Sequence, residues 1–417
     1  MSDLGDNAAS TPPECSFCDK NSLEVSKMIA AAQEGVYICD ECIELCMEVL
    51  KQDKSTDIEI DGEIPTPEEL KEFLDQYVIG QDYAKKVISV AVYDHYRRLD
   101  NPIIDDVEIE KSNILLCGPT GSGKTHIVKT IARMLDVPYY IADATSLTEA
   151  GYVGDDVESI LYGLMQAADQ DINRAQRGIV FIDEIDKKGT KSGSANITRD
   201  VSGEGVQQAL LKMIEGTVAR VPTTGGRKHP QGEVVEIDTA NILFVVSGAF
   251  IGLDKLVSKR MNKGYTSLGF ANKKERPDEG KSMGEILENI EPEDLIEYGL
   301  IPELIGRLPI VCGLDELTEE QLVQILIEPK NALVKQFKAM FSLEKVELKF
   351  NDDALVEIAR IAKNRKTGAR GLRAVLQRAL LSTQFQIPTA AKAKPPLKNV
   401  TVTYEAVTGE EEPKLDY

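Results

Sequence analysis

The sequence contains no tryptophan, only three histidines, and no apolar run of about 18 residues, the length that a membrane-spanning helix requires. Its first residues, MSDLGDNAAS, lack both the basic start and the apolar centre of a signal peptide. We therefore expect a chain without a membrane segment that remains in the cytoplasm.

Positive charge is also scarce. Lysine and arginine total 48, against 69 aspartate and glutamate residues, so the formal net charge is −21. Proteins that follow the phosphates of a nucleic acid need a local surplus of positive charge. The composition argues against DNA or RNA as the main partner, although it leaves room for a local basic patch.

Disulfide bonds are not expected, since seven cysteines in 417 residues are too few for a disulfide framework and a reducing compartment would not maintain one. Four of the seven nevertheless form two closely spaced pairs, CSFC and CDEC, at Cys15, Cys18, Cys39 and Cys42. Two such pairs about twenty residues apart can place four thiolates tetrahedrally around a structural zinc ion.

The alternatives to zinc are a redox CxxC motif and buried spare thiols. A redox motif rarely comes as two pairs, and the surrounding segment lacks a βαβ pattern. We therefore expect a zinc-binding domain over residues 10–52. The polar, acidic segment that follows ends in prolines and predicts a linker over residues 53–66.

The stretch NILLCGPTGSGKT joins an apolar strand to the phosphate-binding pattern GxxxxGK[ST]. The pattern comprises Gly118, Pro119, Thr120, Gly121, Ser122, Gly123, Lys124 and Thr125. Backbone N–H groups of such a loop surround phosphate oxygens. We predict that Lys124 reaches the β- and γ-phosphates of ATP and that Thr125 binds Mg²⁺. A chance glycine-rich turn is the alternative, and the flanking strand and amphipathic helix argue against it.

A second acidic element follows another apolar strand, in GIVFIDEIDK. Ligands of open α/β sheets gather at the carboxyl ends of the strands, where Asp183 and Glu184 stand. Asp183 is predicted to hold Mg²⁺ through water, and Glu184 to polarise the attacking water. The alternative is an acidic strand cap. Val78 and Ile79, ahead of a long helical segment, are candidates for contacts with adenine.

Apolar strands alternate with amphipathic helices over much of the chain, which predicts an α/β fold with a mostly parallel sheet flanked by helices. Predicted strands lie at 113–117, 137–144, 179–182 and 241–248, and predicted helices at 157–168 and 205–216. We assign this P-loop NTPase core to a large domain, residues 67–312.

The pattern changes after residue 312. Thr318 and Gln321 form a capping-box pattern at the start of a helix, and further helices and short strands follow. We expect a smaller α+β domain over residues 313–417. Its acidic tail, GEEEPKLDY, is expected to be loose.

Four motifs in this order, GPTGSGKT, FIDEID, GLIPELIGRLP and GARGLR, resemble those of the AAA+ ATPases. With the four-cysteine module and the stretch GYVG, the chain is similar to the ATPase subunits of the Clp proteases over about residues 13–405. This resemblance implies a homohexameric ring that uses ATP and Mg²⁺ to unfold tagged protein substrates. It also implies an axial pore, adaptor proteins and the ClpP peptidase as a partner.

The resemblance adds two arginines to the catalytic set of Lys124, Asp183 and Glu184. Arg307 matches the arginine finger that reaches the γ-phosphate of the neighbouring subunit. Arg370 matches the sensor arginine that the small domain contributes. From the sequence alone, either could instead be a surface salt-bridge residue.

Several loop positions match substrate-handling elements of the family. Those that match pore loops are Tyr152, Val153, Arg199, Arg227, Lys228 and His229. Those that match the peptidase-docking loop are Leu268, Gly269 and Phe270, where the family usually has Ile-Gly-Phe. Tyr152 could instead pack in a local core, and the basic triplet could be a solvated hairpin tip. Ser247 stands where many AAA+ proteins carry an asparagine or threonine that orients water, so the resemblance assigns it no definite role. His126 is expected to be a bystander.

Two other functions are compatible with parts of the sequence. A clamp-loader or DNA-motor type of AAA+ machine requires basic surfaces, and the net charge and the GYVG stretch argue against it. A zinc adaptor with a degenerate ATPase domain is disfavoured by the intact Lys124, Asp183, Glu184 and Arg307. A protein unfoldase therefore remains the leading hypothesis.

Overall fold

The structure is a computed structural model that describes residues 14–22, 24–30, 35–43, 45–46, 64–101, 103–104, 107–148, 157–189, 203–222, 234–263, 277–392 and 395–417. The chain divides into two compact units, Met1–Gly62 and Glu63–Tyr417. Among the helices of the described residues, none is both long and apolar enough to cross a bilayer.

The first unit contains an antiparallel pair of short strands, β1 (Met28–Ala30) and β2 (Tyr37–Cys39). Among the described residues of this unit, the buried core cluster consists of three cysteines, against which Val25, Met28 and Ile38 pack. A core of this size supplies too little apolar burial to hold a domain together, so its folding requires a further cross-link such as a metal ion.

The second unit contains the remaining strands. In chain order they are β3 (Ile103–Ile104), β4 (Val107–Glu108), β5 (Ile114–Cys117), β6 (Tyr139–Asp143), β7 (Ile179–Asp183), β8 (Val218–Pro222), β9 (Val234–Asp238), β10 (Leu243–Gly248), β11 (Ile310–Gly313), β12 (Glu347–Phe350), β13 (Asn399–Val402) and β14 (Lys414–Asp416). Two antiparallel pairs, β3 with β4 and β8 with β9, lie outside the larger sheets.

The helices of this unit flank the sheets. They are α1 (Pro67–Asp75), α2 (Asp82–Asp100), α3 (Lys124–Met134), α4 (Glu158–Ala167), α5 (Ile172–Gln176), α6 (Glu204–Glu215), α7 (Leu253–Met261), α8 (Met283–Leu287), α9 (Pro292–Tyr298), α10 (Pro302–Gly306), α11 (Glu319–Ile327), α12 (Leu333–Leu343), α13 (Asp352–Asn364), α14 (Ala369–Ala390) and α15 (Tyr404–Thr408). Short 3₁₀ helices lie at Ala144–Ser146 and Ile185–Lys188.

The main sheet has five strands in the order β11-β5-β10-β7-β6, and every neighbouring pair is parallel. All four residues of β5 and all six of β10 are buried. Such continuous apolar strands are typical of a parallel sheet that is covered on both faces. The predicted α/β class with a mostly parallel sheet is confirmed.

The C-terminal part of this unit has a sheet and a core of its own. Strands β12, β13 and β14 form a three-stranded sheet, and a core cluster from Leu317 to Val407 is separate from the one around the main sheet. The predicted capping box is present, since the Thr318 side chain accepts from the Gln321 N–H while the Gln321 side chain accepts from the Thr318 N–H.

The expectation of a loose acidic tail was wrong. Strand β14 pairs antiparallel with β13, with Leu415 opposite Val400. Leu415 packs against the core cluster of this part, while its neighbours Lys414 and Asp416 are exposed. The alternation of one apolar residue between two charged ones is the pattern of an edge strand with one buried face, and the surrounding charge concealed it.

One buried histidine makes stability depend on pH. The rings of His95 and Tyr96, both buried on α2, are perpendicular to each other, with centroids 5.1 Å apart. Burial, reinforced by the positive charges of Arg98 and Lys111, lowers the pKa of His95 to about 3. The folded chain therefore favours the neutral imidazole.

We predict that His95 lowers the free energy of unfolding as the pH falls. Unfolding restores its pKa to about 6.5, so below that pH the unfolded chain binds a proton that the folded chain does not. The free energy of unfolding should fall by about 2 kcal/mol between pH 8 and pH 5 on this account. Denaturant titrations of the wild type and His95→Leu at both pH values measure the difference between them. Equal pH dependence in the two proteins would contradict the assignment.

Candidate nucleotide site and metal centre

The phosphate-binding loop connects β5 to α3. Gly123, at the start of α3, has a φ of 107°, in the left-handed region that glycine adopts without strain. The buried Lys124 amine donates to the carbonyl oxygens of Gly118 at 2.6 Å and Pro119 at 3.0 Å. Burial lowers the pKa of Lys124, and the nearby Asp183 carboxylate opposes that shift. The loop thus holds the Lys124 amine against its own backbone carbonyl groups.

The acidic residues of the second motif lie at the end of β7. Asp183 Oδ1 accepts hydrogen bonds from the Ser247 hydroxyl at 2.5 Å and from the Glu184 N–H at 3.0 Å. Glu184 has a φ of 60°, a left-handed conformation that costs a residue other than glycine on the order of 1 kcal/mol. The chain turns there, and the Ile185–Lys188 helix follows.

The contact of Ser247 with Asp183 is one that the sequence did not reveal. It lies buried on β10, and the preceding pair in the register is Val246 with Ile182, so Ser247 stands beside Asp183. The available signal was a single hydroxyl in an otherwise apolar strand. Using that signal required knowing that β10 neighbours β7, which no local pattern shows.

Lys124, Asp183 and Glu184 line a cavity of about 440 Å³. One part of its wall is charged and contains Lys124, Asp183, Glu184 and Arg370. Apolar residues form much of the rest: Val78, Ile79, Ile251, Leu317, Ile325 and Leu333. The cavity therefore fits a ligand with an apolar, planar part and a polyanionic part.

Most of the predicted nucleotide residues line this cavity directly. They include Val78, Ile79, Thr120, Gly121, Ser122, Gly123, Lys124, Thr125, Asp183, Glu184 and Arg370. Gly118 and Pro119 do not line it. Their carbonyl oxygens accept hydrogen bonds from the Lys124 amine. Tyr77, His126 and residues of α11 and α12 also line it and were not predicted, because their positions depend on how distant segments pack.

The two arginines occupy different places. Arg370, near the start of α14, lies with a guanidinium nitrogen 3.8 Å from Asp183 Oδ2. Arg307, at the end of α10, pairs instead with Glu215 at 2.9 Å and does not line the cavity of its own chain. Its side chain is 54% exposed, and so accessible to another molecule.

In the first unit the four predicted cysteines converge. Their sulfur atoms lie within 4.8 Å of one another, with Cys15 to Cys42 at 3.9 Å and Cys18 to Cys39 at 3.7 Å. A tetrahedral site with metal–sulfur bonds of about 2.3 Å has sulfur–sulfur edges of about 3.8 Å. Backbone N–H groups support the cluster, since Cys39 N–H donates to the Cys15 sulfur. The residues fit zinc.

Three protein-family models match the chain. The AAA domain (Cdc48 subfamily) covers residues 109–311, the ClpX C4-type zinc finger covers 13–52, and the C-terminal D2-small domain of ClpB protein covers 317–402. A relative from Treponema denticola, the ATP-dependent Clp protease ATP-binding subunit ClpX, is 53% identical over 377 residues, which is 90% of each chain. The chain belongs to the ClpX family of AAA+ ATPases.

This membership confirms the prediction of an AAA+ ATPase with an N-terminal zinc-binding module. The substrate-handling residues of this ClpX-family chain stay predictions from its sequence. They all lie outside the described residues: Tyr152, Val153, Arg199, Arg227, Lys228, His229, Leu268, Gly269 and Phe270.

We predict that one equivalent of zinc co-purifies with the chain and that Cys15→Ser releases it. The first unit should then unfold, because its core is chiefly the cysteine cluster. ATP turnover should persist, since the second unit has its own cores. Elemental analysis and ATPase rates test this, with Cys46→Ser, outside the cluster, as the control. If Cys15→Ser lost its zinc and its ATPase activity together, while Cys46→Ser kept both, the independence of the two units would be contradicted.

Proposed function

We propose that this chain is an ATP-dependent unfoldase that draws tagged proteins through the pore of a homohexamer and delivers them to the ClpP peptidase. The supporting observation is that Lys124, Asp183, Glu184 and Arg370 face a single cavity. An unfoldase has to couple ATP hydrolysis to movement. In this cavity the residues proposed for hydrolysis share one site with Arg370, which the small domain contributes. The cytoplasm is the proposed location.

In this proposal the apolar wall at Val78 and Ile79 takes the adenine base, and the loop of residues 118–125 takes the phosphates. Mg²⁺ would be held by Thr125 and, through water, by Asp183, and it would neutralise phosphate charge. Glu184 polarises the attacking water. Ser247 keeps Asp183 oriented through its 2.5 Å hydrogen bond.

Two arginines complete the chemistry. Arg370 brings a positive charge from α14 to within 3.8 Å of Asp183, and so toward the phosphates. Arg307 does not line the cavity of its own chain and would act on the nucleotide of the neighbouring subunit. Its bond to Glu215 would then be exchanged for the phosphate when the ring assembles.

Movement would arise because two parts of the chain share the cavity. We assign residues 67–312 to the large domain and 313–417 to the small domain, joined to the zinc domain, 10–52, by the linker, 53–66. Leu317, Ile325 and Leu333 of the small domain line the cavity with the phosphate loop. Nucleotide binding or hydrolysis that changes the cavity would therefore reorient one domain against the other.

The substrate end of the proposal relies on the family resemblance. Tyr152 and Val153 would grip the polypeptide in the pore, with Arg199 near the base of a second pore loop. Arg227, Lys228 and His229 form a basic triplet in an acidic chain and would attract acidic chain termini. Leu268, Gly269 and Phe270 would dock into an apolar pocket on ClpP, while the zinc domain would select substrates and adaptors.

Degradation of a tagged fluorescent protein tests the delivery step. With ATP and ClpP, the chain should convert it to acid-soluble peptides; with ATP alone, fluorescence should fall without peptides; with ClpP alone, neither should change. Peptide release that does not need ATP would contradict the proposal, as would ATP turnover that leaves the fluorescent protein folded under all three conditions.

A further inference from the structure

Gln81 joins three segments that are distant in sequence. It immediately precedes α2 and has a left-handed backbone, with a φ of 58°. Its side-chain Nε2 donates to the carbonyl oxygens of Ser122 at 3.3 Å and Asp315 at 2.8 Å. Its Oε1 accepts from the Asp315 N–H at 3.0 Å. Both ends of one amide are thus engaged.

Asp315 lies in the connection between the two cores of the second unit. Strand β11 of the main sheet ends at Gly313, and α11 of the small domain begins at Glu319. The paired bonds to the N–H and carbonyl of Asp315 hold this backbone as a neighbouring strand would. Gln81 therefore fixes where the chain leaves the large domain.

The other partner of Gln81, Ser122, belongs to the phosphate loop, and the preceding loop residue also contacts the small domain. The Gly121 carbonyl accepts from the Ala369 N–H at 3.2 Å, at the start of α14. A Cβ at Gly121 would lie 2.4 Å from the Thr367 carbonyl oxygen, so only glycine permits this approach. Two consecutive loop carbonyls are thus tied toward the small domain, one directly and one through Gln81.

The segment before Gln81 has a small-domain contact of its own. The Gln76 carbonyl accepts from the Lys330 N–H at 2.9 Å. Between these anchors stand Val78 and Ile79, which line the cavity. A shift of Gln81 would therefore displace the apolar wall and the phosphate loop together.

We propose that Gln81 is a positioning residue for ATP hydrolysis, which holds the phosphate loop, the Val78–Ile79 wall and the inter-domain connection at Asp315 in one arrangement. It touches no proposed reacting atom. It acts by keeping the small domain, and with it Arg370, at its working distance from the phosphates. This role rests on the proposed binding of ATP in the cavity.

Gln81→Met tests the role, because methionine has a similar length and forms none of the three hydrogen bonds. We expect kcat for ATP to fall at least about tenfold, since small displacements of catalytic groups reduce rates steeply. KM should change less than about threefold, because the loop N–H groups and Lys124 remain. Hydrogen exchange at the Asp315 amide should become faster as its acceptor is removed.

Gln207→Met is the matched control. The Gln207 amide also engages both its ends, donating to the Lys188 carbonyl at 2.8 Å and accepting from the Ile301 N–H at 2.9 Å. These bonds stay within the large domain, and the side chain is fully buried. This variant should lower the melting temperature more than Gln81→Met and should retain kcat per folded molecule.

If the wild-type chain hydrolyses ATP and Gln81→Met hydrolyses it equally fast, the positioning role alone is overturned. A kcat loss in Gln81→Met that merely follows its unfolded fraction would also overturn it. A folded wild-type chain that neither binds nor hydrolyses ATP would overturn the proposed function and this role with it. A kcat loss in folded Gln81→Met, with KM nearly constant and faster exchange at Asp315, would support the role.

Discussion

Glu184→Gln should reduce ATP hydrolysis by about two to four orders of magnitude, the usual contribution of a general base, while ATP still binds. Glutamine keeps the length of the side chain but cannot accept a proton from water. The surroundings should persist, because Asp183 is oriented by the Ser247 hydroxyl and by a backbone N–H that the substitution retains.

Phosphate release and calorimetric ATP binding, measured on one preparation, separate the two effects. Glu297→Gln is the control, because Glu297 pairs with Lys259 on the surface and does not line the cavity. It should hydrolyse ATP at the wild-type rate. Near-normal turnover in Glu184→Gln would remove this residue from the role of base and leave it as a strand cap.

Tyr152→Ala should abolish the unfolding of stable substrates while ATP hydrolysis continues. The tyrosine stands between glycines in GYVG, followed by acidic residues, which predicts an exposed ring on a flexible segment. A large amphipathic ring offers grip to any polypeptide sequence. Without it, each cycle of hydrolysis would slip along the substrate. Tyr152→Phe keeps the ring and should retain most of the unfolding rate.

The competing expectation is a packed tyrosine. Truncating a buried aromatic ring to alanine costs about 3–5 kcal/mol, and it would lower the melting temperature and the ATPase rate together. Melting temperature, ATPase rate and unfolding rate of Tyr152→Ala therefore distinguish the two. A large fall in melting temperature, or normal unfolding of stable substrates, would contradict the gripping role.

Much of the large domain could be predicted because its signals are local. The strands at 113–117, 179–182 and 241–248 are mostly apolar runs, as buried parallel strands are. The phosphate loop has a fixed spacing, and the four cysteines have that of a zinc site. In these cases the chemistry and the elements that carry it are neighbours in sequence.

The parts that sequence did not reveal depend on long-range packing. Leu333 and Ile325 line the cavity about two hundred residues after the phosphate loop, and nothing in their own helices marks them as ligand contacts. The hydrogen bond from Ser247 to Asp183 depends on the strand order, which places β10 beside β7. Gln81 looks like an ordinary polar residue at a helix start until Asp315 is folded against it.

The prediction of a loose acidic tail was wrong for a different reason. Its charge and position at the end of the chain outweighed a three-residue alternation, which is too short to give a periodic signal. Leu415 finds its place only because β13 offers an unpaired edge beside the small-domain core. Tertiary context decided this element.

Loss of fluorescence from a tagged fluorescent protein, followed without any peptidase, tests most directly whether ATP chemistry at this cavity drives unfolding. With Mg²⁺ and ATP the wild-type chain should extinguish the fluorescence; with ADP, or with Glu184→Gln and ATP, the signal should stay constant. Unfolding at the wild-type rate by Glu184→Gln, or equal fluorescence loss with ATP and ADP, would contradict the account.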